Sequence, residues 1–278
     1  MPRARNRAGA PRDPIKVVSG PGGRRLVQPA TGRDLTDAMN GFADGFVGGI
    51  NDADGFILKS RSPSCGIKDA WEFPGAESET ASGKGAGFFA AKVLERFPCL
   101  PVEDEGRLLD FSVRESFLTR VYALVRFREA REAGTMRALA GFQAENKLLL
   151  MARSRDGMRT LGRIAANPRG LPTESVLEEY GARLAKTLAL LPRRASDVNV
   201  LMHAMGYFRD ELAGKEKAYF LSLLDDFREG RIPLSAVITV VGSWIVKYGE
   251  EYLEAQTCFR PYPPGLMEPG DPGKGRDI

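Results

Sequence analysis

The sequence predicts an α/β segment, a partial open parallel sheet at the N-terminus, followed by an all-α domain, with helix dominating the chain. Three observations carry this expectation. The short apolar run Phe56-Ile57-Leu58 is flanked on both sides by segments with helical spacing. From residue 111 to about residue 256, apolar residues recur at three- and four-residue steps. Every strand-like run falls before Asp104. Helix, strand, loop, helix, strand is the order of a parallel α/β sheet, whose ligands sit beyond the carboxyl ends of the strands.

Taken in order, residues 1–12 hold four arginines and two prolines and are expected to form a disordered lead-in. An α/β domain is expected over residues 13–104, opening with a short strand at residues 15–18. A Gly20-Pro21-Gly22-Gly23 turn and a weak run at Leu26-Val27 follow. Leu35, Met39, Phe42, Phe46 and Ile50 mark an amphipathic helix, with Thr31 or Asp34 available to cap it. This helix feeds a buried strand at residues 56–58, which ends in the loop Lys59-Ser60-Arg61-Ser62-Pro63-Ser64-Cys65-Gly66. A polar loop fills residues 71–87. In it, Gly83-Lys84-Gly85 is not a phosphate-binding loop, which needs a glycine where Ser78 stands and a hydroxyl where Gly85 stands. A helix at residues 87–97 and an extended run at Leu100-Pro101-Val102 close the α/β part.

An all-α domain is expected over residues 105–268, with a disordered tail at 269–278. Breaks at Gly134, Asn167-Pro168, Leu191-Pro192, Gly214 and Gly230 divide it into six or seven helices. Asp197 or Ser196 is placed to cap the helix carrying His203, and Pro233 suits the first turn of the last long helix. His203, the only histidine, is expected to be packed and hydrogen-bonded.

Composition bounds the function classes. At 278 residues, with 43% hydrophobic and 27% charged content, the chain has the make-up of a globular protein. The three cysteines, Cys65, Cys99 and Cys258, are odd in number and far apart, which argues against a disulfide framework and for a reducing, cytoplasmic location. The longest apolar stretch, residues 232–246, is interrupted by Pro233, Ser235, Thr239, Gly242 and Ser243 and is short for a membrane span. No feature specifies an oligomeric state. A net charge of +4 and a pI near 9.0 are only mildly basic, but the charge is uneven. Residues 126–169 carry ten Lys or Arg against four acids, a local net of +6. A solvated helix face accounts for such a run; so does phosphate contact, for which guanidinium groups are suited.

An unpaired cysteine is ordinarily a small buried hydrophobe. Cys65 keeps different company: a hydroxyl-rich loop around Pro63, with Lys59 and Arg61 to lend positive charge to a thiol.

The run Leu58-Lys59-Ser60-Arg61-Ser62-Pro63-Ser64-Cys65-Gly66 resembles the signature of the YbbK-like family, the bacterial thiouracil desulfidases. The C-terminal half resembles the YbgA-like domain of unknown function. That likeness runs through Asn199-Val200-Leu201-Met202-His203 with Gly206-Tyr207-Phe208, Arg228-Glu229-Gly230-Arg231-Ile232-Pro233-Leu234, Tyr252-Leu253-Glu254-Ala255-Gln256 and Pro261-Tyr262-Pro263. Fusions of the two resemble enzymes that remove sulfur from thiouridine in transfer RNA. The resemblance implies a 4Fe-4S cluster on three cysteine thiolates, with Cys65 as one metal ligand and one iron left open to take sulfur. It implies Ser62, and after it Ser64, as the hydroxyl that hydrogen-bonds the base or relays a proton. It also implies transfer RNA held through Arg126, Arg137, Lys147, Arg153, Arg155, Arg159 and Arg163.

The chain departs from both patterns. The Cys-Leu-x-Gly and Cys-Pro-Glu motifs of the desulfidases are absent, so only Cys65 remains of the three ligands. The expectation is a gene start placed too far downstream, and a chain that is inactive as written. Asn146-Lys147 stands where YbgA-like domains show His-Lys, and Met151-Ala152-Arg153 where they show Met-Ala-His. The competing expectation is a non-catalytic RNA-binding or interaction protein. Because YbgA-like domains also occur beside photolyase genes, a DNA-repair accessory role stays open.

Overall fold

In the computed structural model, residues 13–266 are described; the expected disorder at 1–12 and 269–278 lies outside them. The chain divides into two compact units, one ending at Phe117 and one beginning at Leu118.

In the first unit, β1 (Lys16–Gly20) and β2 (Gly23–Gln28) form an antiparallel hairpin across the glycine turn, where Gly23 takes φ +94°. β3 (Arg33–Asp34) pairs with β2 and leads into α1 (Thr36–Gly48), where the Asp34 carboxylate accepts the Thr36 N–H at 2.9 Å. Then come β4 (Phe56–Leu58), β5 (Ala70–Phe73), β6 (Gly83–Gly85), α2 (Phe88–Arg96) and β7 (Val102–Asp104). One sheet has the order β3-β2-β1-β5-β6, and β4 with β7 forms a second. Parallel pairing holds for β4 with β7 and for β1 with β5; the other pairs are antiparallel. The sheet is therefore mixed and split, because the glycine turn after β1 and the loop 74–82 between β5 and β6 return the chain on itself without a crossover helix. That second hairpin lies in the stretch expected to be a polar loop.

The core of this unit is Val17, Leu26 and Phe88, with Ile15, Leu35 and Met39 packed around them. Two expectations fail at its edge. Phe42 and Phe46 are 60% and 54% exposed: Leu35 and Met39 reach the core, while Phe42 and Phe46 stack on each other and meet the Phe89 ring at 6.4 and 5.7 Å. In β4, Leu58 is buried but Ile57 is 60% exposed; among the described residues no layer covers its face.

The second unit is helical. α3 (Phe111–Glu132) enters it, followed by α4 (Met136–Glu145), α5 (Lys147–Arg153), α6 (Arg155–Ala165), α7 (Thr173–Leu188), α8 (Arg194–Gly206), α9 (Gly214–Arg228), α10 (Leu234–Tyr248) and the single turn α11 (Glu251–Glu254). These nine helices among the described residues exceed the expected six or seven. The single-residue breaks at Asn146 and Ser154 are invisible to periodicity. Ser154 ends α5 and caps α6, its hydroxyl accepting the Gly157 N–H at 2.9 Å. The helix carrying His203 starts at Arg194, ahead of the proposed caps Ser196 and Asp197. No strand follows Asp104 among the described residues, and no helix there is long and apolar enough to cross a membrane.

Two apolar clusters form the core. Phe127, Phe142 and Tyr180 meet ring to ring at 5.4–6.0 Å in one; Phe208, Phe220 and Trp244 centre the other. The α4–α5 break is closed by the C-terminal segment. Asn146 donates to the Phe142 carbonyl at 2.8 Å and accepts from Thr257 Oγ1 at 2.7 Å. Gln256, 2% exposed, donates to the Ala144 carbonyl at 2.8 Å and accepts the Leu148 N–H at 3.1 Å. Gln256→Ala strands the buried Leu148 N–H and removes the bond to the Ala144 carbonyl, so it is expected to destabilise the unit by about 1–3 kcal/mol. Urea unfolding read by circular dichroism measures this, and a change below about 0.5 kcal/mol would show that the clamp is dispensable.

Candidate functional site

The loop after β4 is held by a dense set of backbone contacts. Phe56 N–H donates to the Pro101 carbonyl at 2.9 Å and Glu105 N–H to the Leu58 carbonyl at 3.2 Å, fixing where the strand ends. The Glu105 carboxylate then accepts Ser60 N–H at 2.7 Å and Ser60 Oγ at 3.0 Å, and pairs with Lys59. Lys59, expected to lend its charge to the thiol, is thus engaged by Glu105. The next residue, Arg61, sits at φ +56° with its N–H on Asp69 Oδ2 at 2.9 Å.

Ser62 turns the chain: its Oγ accepts the N–H groups of Ser64 at 3.2 Å and Cys65 at 3.1 Å, while its carbonyl accepts Gly66 N–H at 2.8 Å. α2 supplies the rest. Gly87 N–H reaches the Gly66 carbonyl at 2.7 Å, Phe88 N–H the Pro63 carbonyl at 3.1 Å, and Phe89 and Ala90 N–H the Ser64 carbonyl at 2.9 and 3.1 Å. The unsatisfied donors of a helix start are thereby matched to the carbonyls of the loop that bears the thiol. Cys65 is half-buried at this point, its Sγ 3.6 Å from Ser64 Oγ, which lies 3.7 Å from Met39 Sδ. The structure brings Ser62, Ser64 and Cys65 together and gives the Ser62 oxygen a structural task in the turn.

Lys59 above all, then the Ser60 backbone and hydroxyl, hold the Glu105 carboxyl down at about 2, against an ordinary value near 4.5. A depressed pKa contributes stability that is present above the unfolded value and lost as pH falls through the folded one. The loop is therefore expected to loosen between about pH 4.5 and pH 2. Glu105→Gln should remove this acid sensitivity, so the two proteins differ in stability near neutrality and converge at pH 2. Parallel acid titrations in a Trp244→Phe background, followed by Trp71 fluorescence, test it; a gap that persists at the acid limit would exclude ionisation of Glu105 as the cause.

The cluster implied by the resemblance needs three thiolates. Cys99 follows Pro98 and is exposed, while Cys258 packs against the two apolar clusters of the helical unit, where burial pushes its thiol up. Among the described residues no three His, Cys, Asp or Glu side chains converge as metal donors. The donors present do not fit a four-iron cluster.

In the helical unit the expected phosphate contacts divide. Arg153 is 8% exposed and donates to the Leu190 carbonyl at 3.1 Å, so it is withdrawn from that set. Arg126 is half-buried, donates to the Pro261 carbonyl at 2.8 Å, and has its pKa lowered by burial; it ties down the C-terminal segment. Arg137, Lys147, Arg155, Arg159 and Arg163 are exposed. On α6, residues 155, 159 and 163 share one face, while the opposite face buries Gly157 and Leu161 and Asp156 is taken by Arg183 at 3.1 Å. His203, expected inside, is exposed on α8, because Val200, Leu201 and Ala204 form that helix's buried face. Sequence reasoning also passed over Asp69 and Glu105, whose only local signal is that they are carboxylates near a strand end.

Residues 2–105 match the family described as 2-thiouracil desulfurase, and residues 147–263 match one described as a protein of unknown function (DUF1722). The uncharacterized protein YbgA of Escherichia coli (strain K12) is 28% identical over 151 residues, covering 54% of this chain and 89% of that protein. No solved structure matches the chain. The protein is a fusion of a 2-thiouracil desulfurase-like segment with a YbgA-like helical segment.

Proposed function

We propose that this protein is a desulfidase-type protein that acts on thiolated uracil in transfer RNA, with the helical unit gripping the RNA. The observation that carries the reading is the Cys65 loop, clamped by Glu105, Asp69 and the start of α2 within the segment matched to 2-thiouracil desulfurase. The exposed arginine face of α6 supports the RNA partner. The reaction of this class is a hydrolysis: water supplies the oxygen that replaces sulfur on the ring carbon, and sulfur leaves as sulfide with the two protons of water. With one thiolate in the loop, the chain on its own is expected to bind RNA without turning it over. Binding without catalysis is the second reading, and the exposed arginines favour it independently of the thiol. Three free cysteines suit a reducing, cytoplasmic setting.

The test is binding of labelled, thiolated transfer RNA by the full chain, with nucleoside analysis for thiouridine loss after anaerobic treatment with iron and sulfide. Binding without loss, unaffected by Cys65→Ser, is expected. Turnover would overturn the one-thiolate argument, and failure to bind would overturn the RNA reading.

A further inference from the structure

The arginine row on α6 ends against α8. Arg155 Nη2 donates to Asn199 Oδ1 at 3.2 Å, a side-chain hydrogen bond that joins the two helices. From Asn199 the four-residue step along α8 continues to His203 and on to Tyr207, which follows the helix in helical conformation, with Met202 and Gly206 beside them. His203 and Gly206 are exposed, Met202 is 41% exposed and Tyr207 45%. The Tyr207 ring lies on Tyr252, centroids 5.2 Å apart and planes 16° apart. One face of Tyr207 is thus backed by a second ring, and close to half of the residue's surface stays open to solvent. Burial, then the Tyr207 hydroxyl beside it, pushes the Tyr252 phenol up, so the supporting ring stays neutral.

Two kinds of chemistry therefore adjoin. Arg155, Arg159 and Arg163 stand one turn apart over about 12 Å of α6. Arg159 and Arg163 carry no ion pair among the described residues. Beyond the Arg155–Asn199 bond lie an amide, an imidazole and a supported aromatic face, again over about 12 Å. A cationic row suits any polyanion. A row that leads into an exposed aromatic ring and two hydrogen-bonding side chains suits a polyanion that carries planar, edge-polar rings.

We infer that the α8 face formed by Asn199, His203 and Tyr207 receives unpaired bases of an RNA strand whose phosphates lie along Arg155, Arg159 and Arg163 on α6. Tyr207, backed by Tyr252, stacks a base, and Asn199 and His203 hydrogen-bond base edges or the 2′-hydroxyl. Charge complementarity selects the strand, and the aromatic face selects one with open bases over a regular duplex. The inference rests on the RNA-binding reading above and adds to it the part that touches bases.

The experiment uses the full chain and two labelled probes with equal phosphates: a short oligouridylate and an abasic strand of the same length. Wild type is expected to bind the oligouridylate about tenfold more tightly, a difference within the range of one base–aromatic stack. Tyr207→Ala should erase that preference and leave the salt dependence unchanged. Tyr207→Phe should retain it, which separates stacking from a general loss of structure. Asn199→Ala and His203→Ala should each reduce the preference severalfold. Equal binding of both probes by wild type, or a preference that survives in Tyr207→Ala, overturns the inference while leaving RNA binding intact. An acidic peptide that competes as well as the oligouridylate overturns it in favour of a protein partner, and failure of either probe to bind overturns it together with its parent reading.

Discussion

Gly87→Ala is expected to release the thiol loop and destabilise the first unit by about 2–4 kcal/mol, from overpacking and lost helix-start hydrogen bonds. Gly87 has φ −65° and ψ 162°, values any residue adopts, so the effect isolates close approach from backbone strain. A Cβ there would stand 2.3 Å from the Ser64 carbonyl oxygen, 2.4 Å from its carbon and 2.8 Å from Cys65 N. All three are backbone atoms, and none can swing aside as a side-chain tip could. Either the loop or the first turn of α2 must move, and the bonds from Gly87, Phe88 and Phe89 to the loop carbonyls lengthen together. In a Trp244→Phe background Trp71 is the sole tryptophan and reports urea unfolding of this unit alone. In a Cys99→Ser background, alkylation of Cys65 should also speed up severalfold. A midpoint and an alkylation rate both unchanged would mean that α2 does not brace the loop.

Much of the fold is legible because period and punctuation are local. β4 falls where the apolar run ends, α2 spans the expected helix to within a residue at each end, and the Gly20–Gly23 turn closes a hairpin. The misses have one physical origin. Period identifies the apolar face of a helix but not what covers it, hence the exposed Phe42 and Phe46. β5 and β6 are four and three residues long, and Gly83-Lys84-Gly85 has no side-chain pattern to read. At the site, Ser62, Ser64 and Cys65 are adjacent in sequence and were readable, whereas the anchor Glu105 reaches Ser60 from 45 residues away. That distance is bridged by the β4–β7 pairing, which brings Asp104 beside Leu58 and so sets Glu105 over the loop.

Replacing Arg155, Arg159 and Arg163 together by Ala is expected to weaken transfer RNA binding by about ten- to a hundredfold near physiological salt and to lower the slope of log affinity against log salt by about two to three. The reason Arg153 is not among them lies in one residue. Ser154 ends α5 and restarts the helical phase in α6, so neighbours 153 and 155 point to different places. Arg153 donates to the Leu190 carbonyl from the interior, while Arg155, with Arg159 and Arg163 behind it, faces solvent. A count of charge along residues 126–169 treats the two alike; their consequences are opposite. The α6 triple variant should keep its urea midpoint within about 0.5 kcal/mol of wild type, since exposed side chains with no buried partner contribute little to stability. Arg153→Ala should lose about 2–4 kcal/mol of stability, because it removes a buried, hydrogen-bonded cation and leaves a cavity. Its salt slope should be unchanged at temperatures where it is folded. Filter binding across a salt series, paired with urea unfolding, reads both quantities on the same proteins. A triple variant with an unaltered slope would remove α6 from the RNA interface, and an Arg153→Ala protein that is stable but flattened in slope would return Arg153 to it.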